Sequence, residues 1–109
     1  MIRRANEINV ELGTELKLNI HIEPIGGMTI KDYDYTTEVY CSQRRKITIP
    51  KVDAIYIDDE NFVVCVDSSI LGIGTIVCRV IAHIPDADFQ DGIRTEIVAI
   101  NTGINIVKT

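Results

Sequence analysis

Two histidines, three cysteines and one acid-rich loop are the residues whose types could carry chemistry in this chain. A histidine working as acid or base needs a partner within hydrogen-bond reach. His21 falls at an outward position of an alternating strand, and His83 on the polar-leaning face of a longer one. No Ser, Cys or carboxylate is placed by spacing to complete a triad with either, so both read as surface or inter-strand histidines. Cys41, Cys65 and Cys78 are odd in number, fit no zinc spacing and form no Cys-x-x-Cys. All three lie in apolar strand patterns and read as buried reduced thiols, which behave as small hydrophobes. An inter-sheet disulfide is the alternative, disfavoured by synthesis in the cytoplasm.

The loop Asp86-Ala87-Asp88-Phe89-Gln90-Asp91-Gly92 has the look of a calcium loop, but its fifth position is Gln90 and its sixth Asp91. An EF-hand needs an acid at the fifth position, Gly at the sixth and flanking helices. Aspartates also cap turns by accepting backbone N–H bonds, and that is the expectation here. Asp58-Asp59-Glu60 reads as a solvated hairpin tip that discourages edge-to-edge aggregation. Gly72-Ile73-Gly74 lacks the third glycine and the helix of a dinucleotide site and reads as a tight turn. The expectation is therefore no catalytic residue, no metal and no cofactor: not an enzyme.

The elements that would position any site are strands. β-Branched Ile, Val and Thr outnumber Leu and Ala by more than four to one; such side chains suit a pleated, half-buried surface. Leu16 to Glu23 alternates strictly, with Leu16, Leu18, Ile20 and Ile22 on one face. A shorter strand precedes it over Asn6–Leu12, with a turn at Gly13-Thr14; Pro24-Ile25-Gly26-Gly27 closes the second strand. Residues 28–34 read as irregular. Further strands are expected at Tyr35–Cys41, Lys46–Ile49, Ala54–Ile57 and Phe62–Val66, the last apolar enough to be covered on both faces. Residues 67–72 read as a short connection with about one helical turn. A long strand follows over Gly74–Ile84 and another over Ile93–Ile100, with Ile104 and Ile106 extending it or forming a tail. No window holds a helical period over ten residues. Short strands with regular turn signals indicate a sandwich or barrel. The immunoglobulin Cys…Trp…Cys pattern is missing, since there is no Trp.

The chain has 109 residues, one domain's worth, and a net charge of −5 with pI near 4.9. Such a domain repels phosphate backbones, so nucleic acid is not the expected partner. Arg3-Arg4 and Arg44-Arg45-Lys46 are the basic exceptions, read as solvated segments or as a rim that meets an acidic partner. There is no apolar leader and no run of about 18 apolar residues, so synthesis in the cytoplasm and a soluble chain are expected, with no membrane partner. Tyr33 and Tyr35, two apart, would share a face, and are the best candidates for a sugar-stacking platform.

The second half carries a distinctive run. Phe62 to Asp67-Ser68-Ser69 and Leu71-Gly72-Ile73-Gly74 lead to Ile84-Pro85-Asp86-Ala87-Asp88-Phe89-Gln90-Asp91-Gly92-Ile93-Arg94-Thr95-Glu96, and then to Asn101-Thr102-Gly103-Ile104-Asn105-Ile106. It resembles small virion proteins of Bacteroides phages, including crAss-like phages, which are similar in turn to the immunoglobulin-like N-terminal domain of phage baseplate upper proteins. The resemblance implies a structural role in the virion, in a head fibre, capsid decoration or tail or baseplate assembly. Its implied partners are further copies of the chain and other virion proteins, and it implies no catalytic residues. The expected fold is all-β, an immunoglobulin-like antiparallel β-sandwich of about seven to eight strands. Residues 1–109 would form one domain with short N- and C-terminal extensions, Met1–Ala5 and Asn101–Thr109. Arg3, Arg4, Tyr33, Tyr35, Arg44, Arg45, Lys46, Asp86, Asp88 and Phe89 are the candidate interaction surface. An adhesion or carbohydrate-binding module is the alternative function.

Overall fold

Alternating hydrophobicity becomes two facing sheets. The computed structural model describes residues 8–108, so the strand positions expected before Ile8, and Arg3 and Arg4, lie outside the described residues. The strands are β1 (Ile8–Glu11), β2 (Glu15–His21), β3 (Asp34–Tyr40), β4 (Ile47–Pro50), β5 (Ile55–Asp58), β6 (Asn61–Asp67), β7 (Gly74–Pro85) and β8 (Ile93–Val107). One helical turn, α1 (Ser68–Leu71), links β6 to β7, and 3₁₀ turns occupy Gln43–Arg45 and Lys51–Asp53. The five-stranded sheet runs β1-β8-β7-β3-β4 and the three-stranded sheet β2-β6-β5. In immunoglobulin lettering these are G-F-C-C′ plus an added first strand, and B-E-D. The resulting all-β, immunoglobulin-type sandwich is the expected one. Its pairings are antiparallel except that of β1, which runs parallel to β8 from Ile8↔Ile104 to Glu11↔Val107.

The core lies where the period-two faces meet. Leu18 and Ile20 of β2, Phe62, Val64 and Val66 of β6, Tyr35 and Val39 of β3, and alternate residues of β7 from Ile76 to Ile84 are buried. The irregular segment before β3 closes one end of this core with Ile30 and Tyr33. It is tied to the β5–β6 turn by Ile30 N–H donating to the Asp59 carbonyl at 3.3 Å, and Ile22 N–H, just after β2, donates to the Glu60 carbonyl at 2.8 Å. At the opposite end Ser68, fully buried, accepts a bond from Gly13 N–H at 2.9 Å, joining the β1–β2 turn to α1. Gly72 and Gly74 turn the chain into β7 with φ of 81° and 137°. The positive φ of Gly74 favours glycine, and a Cβ there would lie 3.3 Å from Cys41 Cβ, close enough that Cys41 would have to shift.

Three expectations need correction. The expected C-terminal extension Asn101–Thr109 fails over residues 101–107: β8 continues to Val107, and Ile106 is 1% exposed in the core. Of the two readings of Ile104 and Ile106, extension of the strand is the one found, and the chain passes through Asn101-Thr102-Gly103 as a bulge opposite Thr75–Val77. There the Thr102 hydroxyl donates to the Ile76 carbonyl at 2.8 Å, and Gly103 takes a φ of 72°. β6 is not covered on both faces, because among the described residues nothing lies over the outer side of Cys65 in the three-stranded sheet. Phe62, Val64 and Val66 point inward, and Cys65 is exposed. The expectation of three buried thiols therefore fails at Cys65.

One core position carries a polar atom without a partner. The Thr37 hydroxyl is buried, makes no hydrogen bond, and lies in register with Ile49 and Val80. Thr37→Val keeps the side-chain shape and removes that desolvation cost. It is expected to stabilise the fold by about 1–2 kcal/mol. The check is the urea midpoint, which rises at unchanged m-value; a lower midpoint contradicts this reading of the site.

Candidate interaction surfaces

The candidate residues of the sequence do not share one surface. Tyr33 and Tyr35 do fall on one face, as their spacing requires, but it is the inner face. They are 5% and 3% exposed. Their rings meet edge-on at 6.4 Å, and the Tyr35 ring lies 4.7 Å from that of Phe62. Lys51 crosses above, its Nζ 5.5 Å from the Tyr35 centroid and donating to the Tyr33 carbonyl at 2.8 Å. Burial pushes both phenols above their ordinary pKa. As members of a sugar-stacking platform or interaction surface, these two tyrosines are ruled out by their burial.

Arg44, Arg45 and Lys46 stand exposed at the end of the sandwich where β7 begins. The Ser42 hydroxyl caps their 3₁₀ turn by accepting from Arg44 N–H. The Arg45 side chain lies beside Gly72, where a Cβ would be 3.5 Å from a guanidinium nitrogen. Arg45 thus lies beside the Gly72 turn, which Ile70 and Ile73, each 55% exposed, flank in sequence. Lys46 turns onto the outer face of the five-stranded sheet and meets Glu38 at 3.1 Å, with Arg79 at 3.5 Å on the other oxygen.

Asp86, Asp88 and Phe89 occupy the opposite end, in the β7–β8 loop. Asp86 accepts from Asp88 N–H at 3.0 Å, and Asp91 from Ile93 N–H at 3.2 Å. Asp86 Oδ2 also lies 3.3 Å from Arg94 Nε, an ion pair too oblique for a hydrogen bond, while Arg94 meets Glu96 at 2.7 Å. The acids are thus spent on turn capping and a local ion pair, as expected. Asp88 and the half-exposed Phe89 are left at the tip.

The acidic turn Asp58-Asp59-Glu60 lies at this same end. The Glu60 amide first, and then Asn61, hold the Asp58 carboxyl below its usual range. The Tyr56 hydroxyl and then Lys31 do the same for Asp59.

The residues able to do chemistry stay apart. His21 is exposed, 3.2 Å from Asn61 Oδ1 and 3.9 Å from Glu60. His83 touches Thr95 at 3.5 Å on the outer face of the other sheet. A groove of about 410 Å³ opens between the unpaired edge of β2 and β8, lined by Leu18, Ile20, Cys78, Ile100 and Ile104 with Lys17 and His21 at its rim. Among the described residues no carboxylate lines it. Burial pushes the Cys78 thiol up to about 11, the reverse of what a nucleophilic cysteine needs. Among the described residues no group of three or more His, Cys, Asp or Glu could hold a metal ion. No helix among them is long and apolar enough to cross a membrane.

The three free thiols should react in order of access. With a chromogenic disulfide reagent in native buffer, one equivalent from Cys65 is expected first and the half-buried Cys41 later. Cys78 should respond only on addition of denaturant. Release of all three at one rate would contradict the assigned faces of β6 and β7.

No family model, curated protein or solved structure matches the chain.

Proposed function

We propose that this chain is a non-catalytic building block of a phage particle, an adaptor or repeating unit of a head fibre, capsid decoration or tail or baseplate assembly. It acts through protein–protein contacts with its own copies and with other virion proteins. The observation that carries this reading is where the large apolar side chains come to the surface. Val52, Ile55, Tyr56 and Ile57 run along the free β5 side, Ile70 and Ile73 sit at one end, and Phe89 at the other. Exposed apolar groups set along unpaired strand edges and loop ends suit docking of another protein. The groove, by contrast, gathers no converging titratable groups such as an enzyme site requires. The virion setting is supported by the resemblance of the second half to small phage structural proteins.

Mass spectrometry of purified particles tests the proposal. The chain is expected as a stoichiometric component that survives density-gradient purification. Its absence from mature particles would reject the virion role.

A further inference from the structure

The two charged, apolar-edged ends of the sandwich are the features that the assembly reading leaves without a partner. The long axis runs along the strands, because the 12 residues of β7 at about 3.3 Å each span most of the 51 Å length, the other extents being 28 and 22 Å. Strand register then assigns residues to ends. Glu15↔Asp67 and Gly74↔Ile106 mark the first end, which carries α1 and the 3₁₀ turn of Arg44 and Arg45. His21↔Asn61 and Pro85↔Ile93 mark the second, which carries Asp58-Asp59-Glu60 and the Asp86–Gly92 loop.

The first end presents two exposed arginines next to exposed Ile70 and Ile73. Glu11, Glu15 and Asp67 share this end, but on the side of the β1–β2 turn and the β2–β6 pair, and Asp67 is engaged in capping α1. The second end presents Asp88 and Phe89 on a tip whose shape is locked. Asp86 N–H donates to the Gly92 carbonyl at 2.9 Å and Gly92 N–H to the Phe89 carbonyl at 2.9 Å. Of the cations at this end, Lys31 is occupied by Asp59 at 3.0 Å, Arg94 by Asp86 and Glu96, and Lys51 by the Tyr33 carbonyl at 2.8 Å. The Arg44–Arg45 patch beside Ile70 and Ile73 and the Asp88–Phe89 tip are therefore each an apolar anchor next to charge, and the charges of the two patches are opposite. Different patches at opposite ends of one molecule make a heterologous contact, which repeats without closing.

We infer that the Arg44–Arg45 end of one copy docks on the Asp88–Phe89 end of the next, so that copies join head to tail along the strand direction. Phe89 enters the apolar surface of Ile70 and Ile73, and the arginines face the acidic loop. This rests on the assembly reading above and gives it a partner and a polarity.

Two variants test it by sedimentation. Arg44→Glu with Arg45→Glu blocks the first end, and Asp88→Ser with Phe89→Ser blocks the second. All four side chains are exposed at the surface, so unchanged melting curves should confirm intact folds. The parent chain is expected to grow in mass with concentration and to shrink as NaCl is raised from about 0.05 to 0.5 M, where the screening length falls several-fold. Each variant alone should stay at the mass of one chain, and their equimolar mixture should stop at two. A closed dimer of the parent, growth of either variant alone, or a mixture that remains single or grows past two would overturn the inference. So would a parent that stays single at every concentration. If that parent protein is nevertheless found in purified particles, the virion role stands and only the head-to-tail contact fails.

Discussion

Replacing Ile106 with aspartate is expected to abolish folding at room temperature. Ile106 is 1% exposed, pairs with Gly74 on one side and Val10 on the other, and lies in the core. A carboxylate there is set in an apolar cluster and must either be protonated or drag the strand out. The cost is about 4 kcal/mol or more, a large share of the roughly 5–15 kcal/mol that holds a small domain together. The measurement is the far-UV circular dichroism melt of the variant beside that of the parent. The result is informative because the end of the chain reads in sequence as an extension. Were Asn101–Thr109 peripheral, Ile106→Asp would leave the melt unchanged.

Phe62→Ala should be nearly as damaging. Phe62 is fully buried at the start of β6, against the Tyr35 ring at 4.7 Å. It joins the two sheets, since β6 belongs to one and β3 to the other. Truncation removes the ring's transfer energy and leaves a cavity between sheets that cannot collapse without shifting a strand. The expected loss is about 3–5 kcal/mol. A urea titration should show the midpoint falling with the m-value little changed. A loss below about 1 kcal/mol would mean that the ring sits at a yielding periphery.

Much of this frame was legible in the residues, for a physical reason. Where one face is buried and the other wet, side chains alternate, and β2 and β7 display that alternation over most of their length. Burial matched the period there. What stayed hidden depends on things beyond the local period. Cys65 lies in an apolar run, and nothing in the run says that no second layer covers its outer side. Tyr33 and Tyr35 were correctly placed on one face, but period two cannot say which of two faces is the inner one. β8 passes Asn101-Thr102-Gly103 only because the Thr102 hydroxyl takes the place of a ladder bond at the bulge. The parallel docking of β1 on β8 joins residues 96 apart, and the side-chain bond across it, Asn105 to Asn9, has no local signature.

The candidate surface was legible in a different way. Arg44-Arg45-Lys46 and Asp86–Asp88 stood out as charge runs, and exposure confirms both at turns. Their placement at opposite ends follows from register, which the sequence leaves implicit. The apolar neighbours that give these ends a docking character, Ile70 and Ile73, passed in sequence as parts of a connection. Their exposure follows from α1, which turns Leu71 inward and leaves Ile70 outside.

The layered frame that separates the two ends is tested most directly by amide hydrogen exchange of the intact chain, followed peptide by peptide. Slow exchange is expected through β2, β6, β3 and β7 and onward through β8 to its last residues, with fast exchange confined to the Gln43–Arg45 and Asp86–Gly92 turns and the free β5 edge. Random-coil exchange across residues 101–107, or protection spread evenly through the turns, would contradict the account.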